Sequence, residues 1–346
     1  MSNFSLLSNL GWQSFFQQQL SLEEWEKSIA ARVIEQHRSE ITVATELEIF
    51  NIVLFHSMPD MVAGDWILLD KNRQLIRVLD RKTCFQRKAP GSKIKHQLIS
   101  ANVDTAFIVS SMNEDFNLNR IERFLALVNE SGAEPVVVLS KSDQSSSPED
   151  LIAQVRKLDD YLIVEAVNCL DSYSVSKLGA WLKQGSTTSV LGSSGVGKST
   201  LINTLLGENS QSTGSIREDD DKGRHTTTRR SLISLGSGGL ILDTPGMREI
   251  QLTGCKEGIA TTFSDIENIS NQCRYGDCQH LAEPGCAVRE SIESGVLDKR
   301  RLDNYHKLLR EESLNTASLM DKRAKDKALG KFYKRTLNES NKIKGR

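Results

Sequence analysis

A glycine-rich loop in the middle of the chain has the residue types of a phosphate-binding site. It reads Gly192-Ser193-Ser194-Gly195-Val196-Gly197-Lys198-Ser199-Thr200 and fits the pattern G-x-x-x-x-G-K-[ST], between a predicted strand over 188–191 and a predicted helix over 201–206. Glycines let backbone N–H groups face phosphate oxygens, and the helix N-terminus adds positive potential. Lys198 would neutralise the β- and γ-phosphates, and the Ser199 hydroxyl would bind Mg²⁺. We therefore expect a site for a nucleoside triphosphate with Mg²⁺.

Two further segments fit the γ-phosphate side of such a site. Asp243-Thr244-Pro245-Gly246 follows a predicted strand over 239–242, so that Asp243 can hold Mg²⁺ through water and the Gly246 N–H can contact the γ-phosphate. Between the two motifs lies Gly223-Arg224-His225-Thr226-Thr227-Thr228, typical of a switch segment. One of its threonines should complete the Mg²⁺ shell, either Thr228 or Thr227.

The residue after Gly246 is Met247, and a thioether cannot orient the attacking water as a glutamine would. We therefore expect slow intrinsic hydrolysis that a partner accelerates. His225 is the best internal candidate to position the water, although a mobile surface histidine is an equal alternative.

A third segment bears on the choice of base. Ser140-Lys141-Ser142-Asp143 follows a predicted strand over 135–139 and is similar to N-K-x-D, whose aspartate accepts hydrogen bonds from guanine N1–H and the 2-amino group. Adenine lacks both donors, so GTP is favoured over ATP. Taken alone, this segment also fits a helix start capped by Ser142 or Asp143. Asn168 and Cys169 stand where a second loop would contact guanine O6.

Three cysteines and a histidine near the C-terminus have the spacing of a metal site. Cys273, Cys278, His280 and Cys286 offer three thiolates and one imidazole without a carboxylate, which fits a closed, structural Zn²⁺ site. The alternative is a coincidence of buried cysteines. Cys84, Cys169 and Cys255 are interpreted as ordinary apolar side chains.

The elements that must position these residues read as α/β. From residue 101, apolar strands alternate with amphipathic helices, which predicts a parallel sheet covered by helices on both faces. The base segment at 140 and its supporting loop at 168 precede the phosphate loop at 192. An ordinary GTPase has the phosphate loop first, so the order predicts a circularly permuted GTPase domain. The strand that carries Asp243 then leads directly into the C-terminal domain.

The 346 residues predict several domains rather than one core. We expect a helical lead-in over 1–30, a β-barrel of about five strands over 31–98, the GTPase domain over 99–262, a zinc-binding helical domain over 263–330 and a basic, flexible tail over 331–346. A barrel of the oligonucleotide-binding (OB) type is the commonest for basic sequences.

Charge is unevenly distributed along the chain. The net charge is −1, yet residues 71–98 carry 9 basic and 1 acidic side chains, and residues 299–346 carry 15 and 6. Such stretches suggest two surfaces that face a polyanion, or simply solvated helix and strand faces. Neither a secretion signal nor an apolar run of about 18 residues is visible, so we expect a cytoplasmic protein without membrane contact.

Taken together, the motifs resemble those of a known family, the bacterial ribosome-small-subunit-dependent GTPase A. The matching segments are ANVDTAFIVSS (101–111), NLNRIERFL (117–125), GSSGVGKSTLIN (192–203), GRHTTT (223–228), LDTPGMRE (242–249) and CRYGDCQHLAEPGCAV (273–288). The resemblance implies an OB-fold, a permuted GTPase domain and a zinc-containing C-terminal domain that bind 16S rRNA on the 30S subunit late in its maturation, with the subunit stimulating GTP hydrolysis. Ser140 in place of Asn and the pair Asn168-Cys169 depart from the family pattern and would suit a divergent paralogue.

We therefore expect a monomeric GTPase that uses GTP hydrolysis to leave the 30S subunit. A zinc-stabilised rRNA-binding protein with a vestigial nucleotide site is the competing hypothesis, and Ser140 and Asn168 favour it slightly. The intact Lys198, Ser199 and Asp243 argue against it. A metabolic or ATP-using enzyme lacks support because no residues suggest a pocket for a small acceptor molecule.

Overall fold

The computed structural model describes residues 7–88, 96–207, 230–243 and 252–316. Outside this part lie several residues to which the sequence assigns roles: His225, Thr226, Thr227, Thr228, Gly246, Met247 and the tail 331–346. Within the described ranges, no helix combines the length and the apolar character needed to cross a membrane.

The N-terminal segment folds into short helices: a 3-10 turn over Leu7–Leu10, α1 (Ser14–Gln17) and α2 (Leu22–Lys27). Ser21 caps α2, because its hydroxyl accepts from the Glu24 N–H while the Glu24 carboxylate accepts from the Ser21 N–H. The rings of Trp12 and Phe16 pack against Trp66 at centroid distances of 4.8 and 5.7 Å. The segment therefore packs on the strands that follow it.

Five antiparallel strands come next: β1 (Ile29–Gln36), β2 (Glu40–Ala44), β3 (Ile49–Val53), β4 (Trp66–Leu69) and β5 (Leu75–Val78). Their order is β5-β4-β1-β2-β3. Alternating side chains such as Val33, Val43 and Ile67 fill one shared core. A hairpin of β6 (Cys84–Lys88) and β7 (His96–Ala101), which the sequence pattern does not predict, forms a separate two-stranded sheet.

The central part confirms the predicted alternation of strands and helices. Its strands are β8 (Thr105–Ser111), β9 (Glu134–Ser140), β10 (Ile163–Ala166), β11 (Thr187–Gly192), β12 (Arg230–Ser234) and β13 (Leu240–Asp243). Its helices are α3 (Leu118–Ser131), α4 (Pro148–Arg156), α5 (Ser172–Val175) and α6 (Lys198–Leu206). The order is β10-β9-β8-β11-β13-β12, parallel except for β12. The carboxyl ends of β9, β11 and β13 therefore share one edge.

One segment predicted as an α-helix is mostly a 3-10 helix in the structure. The stretch VSKLGAWLKQG predicts a single α-helix after β10, but α5 ends at Val175 and a 3-10 helix continues over Ser176–Trp181. Gly179 in this stretch disfavours a regular α-helix, because glycine loses more backbone entropy there than other residues.

The five N-terminal strands and the central strands form one continuous sheet. β12 pairs with β13 on one side and with β1 on the other, both antiparallel. Ser231 lies opposite Asp243 on one side and opposite Glu35 on the other, so these three residues occupy one rung. The sequence pattern does not predict this junction.

The C-terminal part is helical, with α7 (Lys256–Thr262), α8 (Ser264–Ser270), α9 (Ala287–Glu293) and α10 (Lys299–Thr316). Gly258 lets α7 approach α3 closely, since a side chain at this position would collide with the Ala126 carbonyl. The fully buried Glu122 of α3 accepts hydrogen bonds from Arg300, Arg301 and Asn304 of α10. These contacts attach the C-terminal helices to the central sheet.

Candidate nucleotide site and metal centre

The phosphate loop connects β11 to α6 through backbone that requires glycine. Gly192, Gly195 and Gly197 have φ of 146°, 77° and 94°, a region that side chains rarely adopt. A side chain at Gly192 would also collide with the Val109 carbonyl. The loop ends at Gly197, the residue before the first turn of α6, so the orphan N–H groups of this helix begin there. This arrangement can bind a phosphate group.

Lys198 is largely buried at the start of α6. Its ammonium donates a hydrogen bond to the Ser193 carbonyl at the beginning of the same loop. The lysine therefore lies back across the loop, over the place where phosphate oxygens bind in loops of this type. Ser199 and Thr200 follow in the first turn of α6.

The base segment begins at the carboxyl end of β9, beside the phosphate loop. The Ser140 hydroxyl is fully buried and donates to the Val196 carbonyl at 2.6 Å. Lys141 has φ of 56°, and a 3-10 turn over Ser142–Gln144 follows. The alternative interpretation, a helix start capped by Ser142 or Asp143, does not fit, because α4 begins only at Pro148.

A second loop, which follows β10 and contains Asn168 and Cys169, lies beside the base segment and the phosphate loop. Asn168 orders it, since its side-chain oxygen accepts from the Leu170 N–H at 3.0 Å. The Cys169 carbonyl accepts from the Thr204 hydroxyl of α6 at 2.6 Å. The Cys169 thiol lies 3.8 Å from where a Cβ on Gly197 would stand. The loops after β9 and β10 thus meet the phosphate loop at one edge of the sheet.

The surroundings of Cys169 in this second loop keep its thiol protonated. Burial, and secondarily the negative charge of Asp143, raise the pKa of the Cys169 thiol to about 11. The Asp143 carboxylate itself is exposed. It is therefore accessible to a ligand, while the thiol is neutral and unreactive at physiological pH.

Asp243 is the last residue of β13 and is half-buried at the same edge. β13 pairs in parallel with β11, which places the end of the Asp243 strand next to the strand that leads into the phosphate loop. The structure therefore places the described nucleotide candidates in segments that meet at one edge of the sheet. Their roles stay predictions, as do those of His225, Thr228 and Gly246, which lie outside the described residues.

Arg120, to which the sequence pattern assigns no role, also reaches the phosphate loop. It lies in the first turn of α3, and its Nη1 is 3.4 Å from the Ser193 Oγ. The topology of the sheet could have suggested this contact: α3 follows β8, and β8 pairs directly with β11, the strand that leads into the phosphate loop.

The four predicted metal ligands form a compact cluster. The ligand atoms of Cys273, Cys278, His280 and Cys286 all lie within 4.8 Å of one another. The Nδ1 of His280 is 3.6 Å from the Cys273 sulfur and 3.4 Å from the Cys286 sulfur, and these two sulfurs are 4.0 Å apart. Tetrahedral zinc with bonds of about 2.3 Å to sulfur sets its ligands roughly 3.8 Å apart. The cluster therefore fits one tetrahedrally bound metal ion.

Two details of the cluster support metal binding over cystine formation. All six cysteines lie in the described ranges and are free thiols. Burial lowers the pKa of His280, which favours the neutral imidazole that a metal requires. The sequence pattern missed His306 of α10, whose ring stacks on His280 at a centroid distance of 6.5 Å.

Comparison with known proteins agrees with this geometry. Residues 78–253 match the family model described as RsgA GTPase. The chain is 52% identical over 342 residues to the "Small ribosomal subunit biogenesis GTPase RsgA 2" of Vibrio parahaemolyticus, covering 99% of this chain and 96% of that protein. It is 46% identical over 297 residues to the "Small ribosomal subunit biogenesis GTPase RsgA" of Xanthomonas axonopodis, covering 82% and 81%.

Two solved structures are similar in fold. YjeQ from Thermotoga maritima superposes with a TM-score of 0.62 at 26% identity, over 82% of this chain and 98% of that one. YloQ, described as a circularly permuted GTPase, gives a TM-score of 0.59 at 24% identity, over 84% and 96%. The predicted permuted order, with the base segment ahead of the phosphate loop, is thereby confirmed. On its sequence and its fold, this chain belongs to the RsgA GTPase family of GTP-hydrolysing enzymes.

Proposed function

We propose that this GTPase acts in the late maturation of the small ribosomal subunit, where the subunit stimulates its GTP hydrolysis. The names of its relatives support this role. The observation that carries it is the meeting of the Asp143 loop, the Cys169 loop and the phosphate loop at one edge of the sheet. A vestigial nucleotide site would have no need to keep this arrangement together with Lys198.

In the proposed site, the phosphate loop and Lys198 bind the β- and γ-phosphates. Ser199, Asp243 and Thr228 would hold Mg²⁺, which neutralises phosphate charge when bound. The Asp143 carboxylate would accept the two guanine donors, and Lys141, Ser142, Asn168 and Cys169 would shape the base pocket. His225 would position the attacking water.

Hydrolysis would serve as a release switch. The next described helix after the strand of Asp243 is α7, which packs closely on α3 through Gly258. Contacts to the γ-phosphate could therefore reposition the C-terminal helices. Nucleotide can shift this equilibrium only by its different affinity for the two states, so subunit binding should be weaker with GDP than with a non-hydrolysable GTP analogue.

The two ends of the chain would supply the contacts to 16S rRNA. The strand order β5-β4-β1-β2-β3 supports an OB-fold for residues 31–98, a common nucleic-acid-binding barrel. Three thiolates with one imidazole favour zinc as the structural metal of the C-terminal domain. The basic stretches at 71–98 and 299–346 belong to these two parts. We also propose that the protein is a cytoplasmic monomer.

The test is GTP turnover by the purified chain with and without 30S subunits, at several salt concentrations. We expect clear stimulation by the subunit that falls steeply as salt rises, because contacts to RNA phosphates release counterions. Turnover that 30S subunits leave unchanged at low salt would refute the proposal. The same assay on His225→Ala tests that residue: an unchanged stimulated rate would remove His225 from the mechanism.

A further inference from the structure

Arg120 of α3 is a second cation at the phosphate loop, in addition to Lys198. Its Nη1 lies 3.4 Å from the Ser193 Oγ, and its Nη2 donates to the Asp115 carbonyl at 2.7 Å. Asn117 caps α3 by accepting from the Arg120 N–H, which fixes the first helical turn. The guanidinium therefore contacts the loop through Ser193, while the Asp115 carbonyl and the capped helix hold it from its own segment.

Ser193 also marks where the terminal phosphates bind. The Lys198 ammonium donates to the Ser193 carbonyl, and the lysine of such a loop reaches the β- and γ-phosphates. Ser193 therefore borders the β/γ end of the site rather than the base end. Lys198 contacts the main chain of Ser193, while Arg120 contacts its side chain.

The surroundings of Arg120 preserve part of its positive field. A narrow cleft lined by Phe124, Ser193 and Val196 separates α3 from the loop, and apolar walls weaken dielectric screening. The Asp115 carboxylate lies 3.9 Å away and is well exposed, so it offsets the charge only in part. The Arg120 side chain is 42% exposed, which limits its effect and makes that effect dependent on salt.

We propose, on the basis of the nucleotide site proposed above, that Arg120 is a specificity residue for the number of phosphates. Its charge stabilises the triphosphate more than the diphosphate, because GTP carries an additional phosphate and about one more negative charge at the end of the site that Ser193 borders. Arg120 acts through its positive electrostatic potential at the loop and through its contact with Ser193. It takes no part in cleavage of the phosphate bond. Arg120 thereby biases the enzyme towards the GTP-bound state.

The test compares the affinities of a non-hydrolysable GTP analogue and of GDP, measured by displacement of a fluorescent guanine nucleotide. Arg120→Ala should lower the preference for the GTP analogue about two- to fivefold, the range expected for a partly exposed charge pair. Arg120→Lys should keep most of the preference. Asp115→Asn should increase it, because the counter-charge is lost. Each effect should shrink at high salt.

The matched control is Arg156→Ala, which removes an exposed arginine from the last turn of α4. It should leave the preference unchanged. The inference is overturned if Arg120→Ala keeps the wild-type ratio of affinities, or if Arg156→Ala lowers it equally. If the wild-type chain binds neither nucleotide, the proposed nucleotide site itself fails, and that result is distinct from binding both with an unaltered ratio.

Discussion

The Ser140 hydroxyl donates a hydrogen bond of 2.6 Å to the Val196 carbonyl. This contact joins the strand that leads to Asp143 with the loop that leads to Lys198. Ser140 and Val196, which make the contact, are both buried. Ser140 stands where the N-K-x-D pattern has an asparagine. The Ser140 hydroxyl nevertheless links the base segment to the phosphate loop, because it donates this hydrogen bond.

We expect Ser140→Ala to weaken GDP binding about tenfold or less, because a lost hydrogen bond of this kind costs about 1 kcal/mol and leaves the Val196 carbonyl unpaired. Ser140→Asn supplies an amide donor and should bind GDP at least as tightly as wild type. Titration with a fluorescent GDP analogue measures both, with Ser146→Ala as an exposed control. Equal affinities for the Ala variant and wild type would contradict a tethering role.

The charged cluster around Glu122 should dominate the attachment of the C-terminal helices. Glu122 is fully buried against Arg300 and Arg301, so Glu122→Gln leaves buried positive charge uncompensated. Removing one partner of a buried pair costs about 3–5 kcal/mol. Asp265, which also pairs with Arg301, should moderate the loss.

Thermal unfolding and hydrogen exchange in α10 measure this effect, with Glu149→Gln on the exposed face of α4 as the control. Early exchange in α10 of the Glu122 variant is the expected signature. A variant as stable as the control would show that the cluster contributes no net stability.

We expect one zinc ion per chain, bound by the cluster of Cys273, Cys278, His280 and Cys286. Cys286→Ser should abolish zinc binding, and a strong chelator should destabilise the C-terminal helices because metal binding and folding are coupled. Cys84→Ala is the matched control, since Cys84 lies in the hairpin strand β6. Metal analysis and circular dichroism before and after chelation provide the measurement. A chain that is metal-free as isolated and insensitive to chelator would contradict the prediction.

Acid should release the N-terminal helix α2 before the rest of the chain unfolds. Hydrogen bonds from Arg77 and from the Ser21 N–H lower the pKa of Glu24 from 4.5 to about 2. A carboxyl whose pKa is depressed on folding stabilises the fold above its unfolded pKa, and this contribution disappears as the pH falls from about 5 towards 2.

Limited proteolysis across this pH range, with an acid-stable protease, should therefore cut the segment before β1 progressively faster in the wild type. Glu24→Gln lacks the titrating group and should be cut at a rate that changes less with pH. Parallel pH profiles for the two proteins would show that the Glu24–Arg77 pair does not hold the segment.

The sequence suggests the residues of local motifs better than it suggests the contacts between distant elements. Lys198, Asp143 and the four residues of the metal cluster belong to local motifs whose spacing suits the ligands proposed for them, so a linear pattern can suggest them. Arg120 and Ser231 act through partners 73 and 12 residues away in the chain, which periodicity does not encode. The lost α-helical turns after Val175 show the same limit, since an apolar spacing alone does not distinguish a 3-10 helix from an α-helix.

The shared rung of Asp243, Ser231 and Glu35 connects the N-terminal strands through backbone pairing to the sheet edge that carries Asp243. Adjacent strands are about 4.8 Å apart, so only two such steps separate Glu35 from the carboxylate proposed to hold the metal. A load applied to the N-terminal hairpins would pull on the peptide groups that align Asp243, without passing through any switch segment. Docking of those strands on a large particle could thus strain or relax the nucleotide site mechanically.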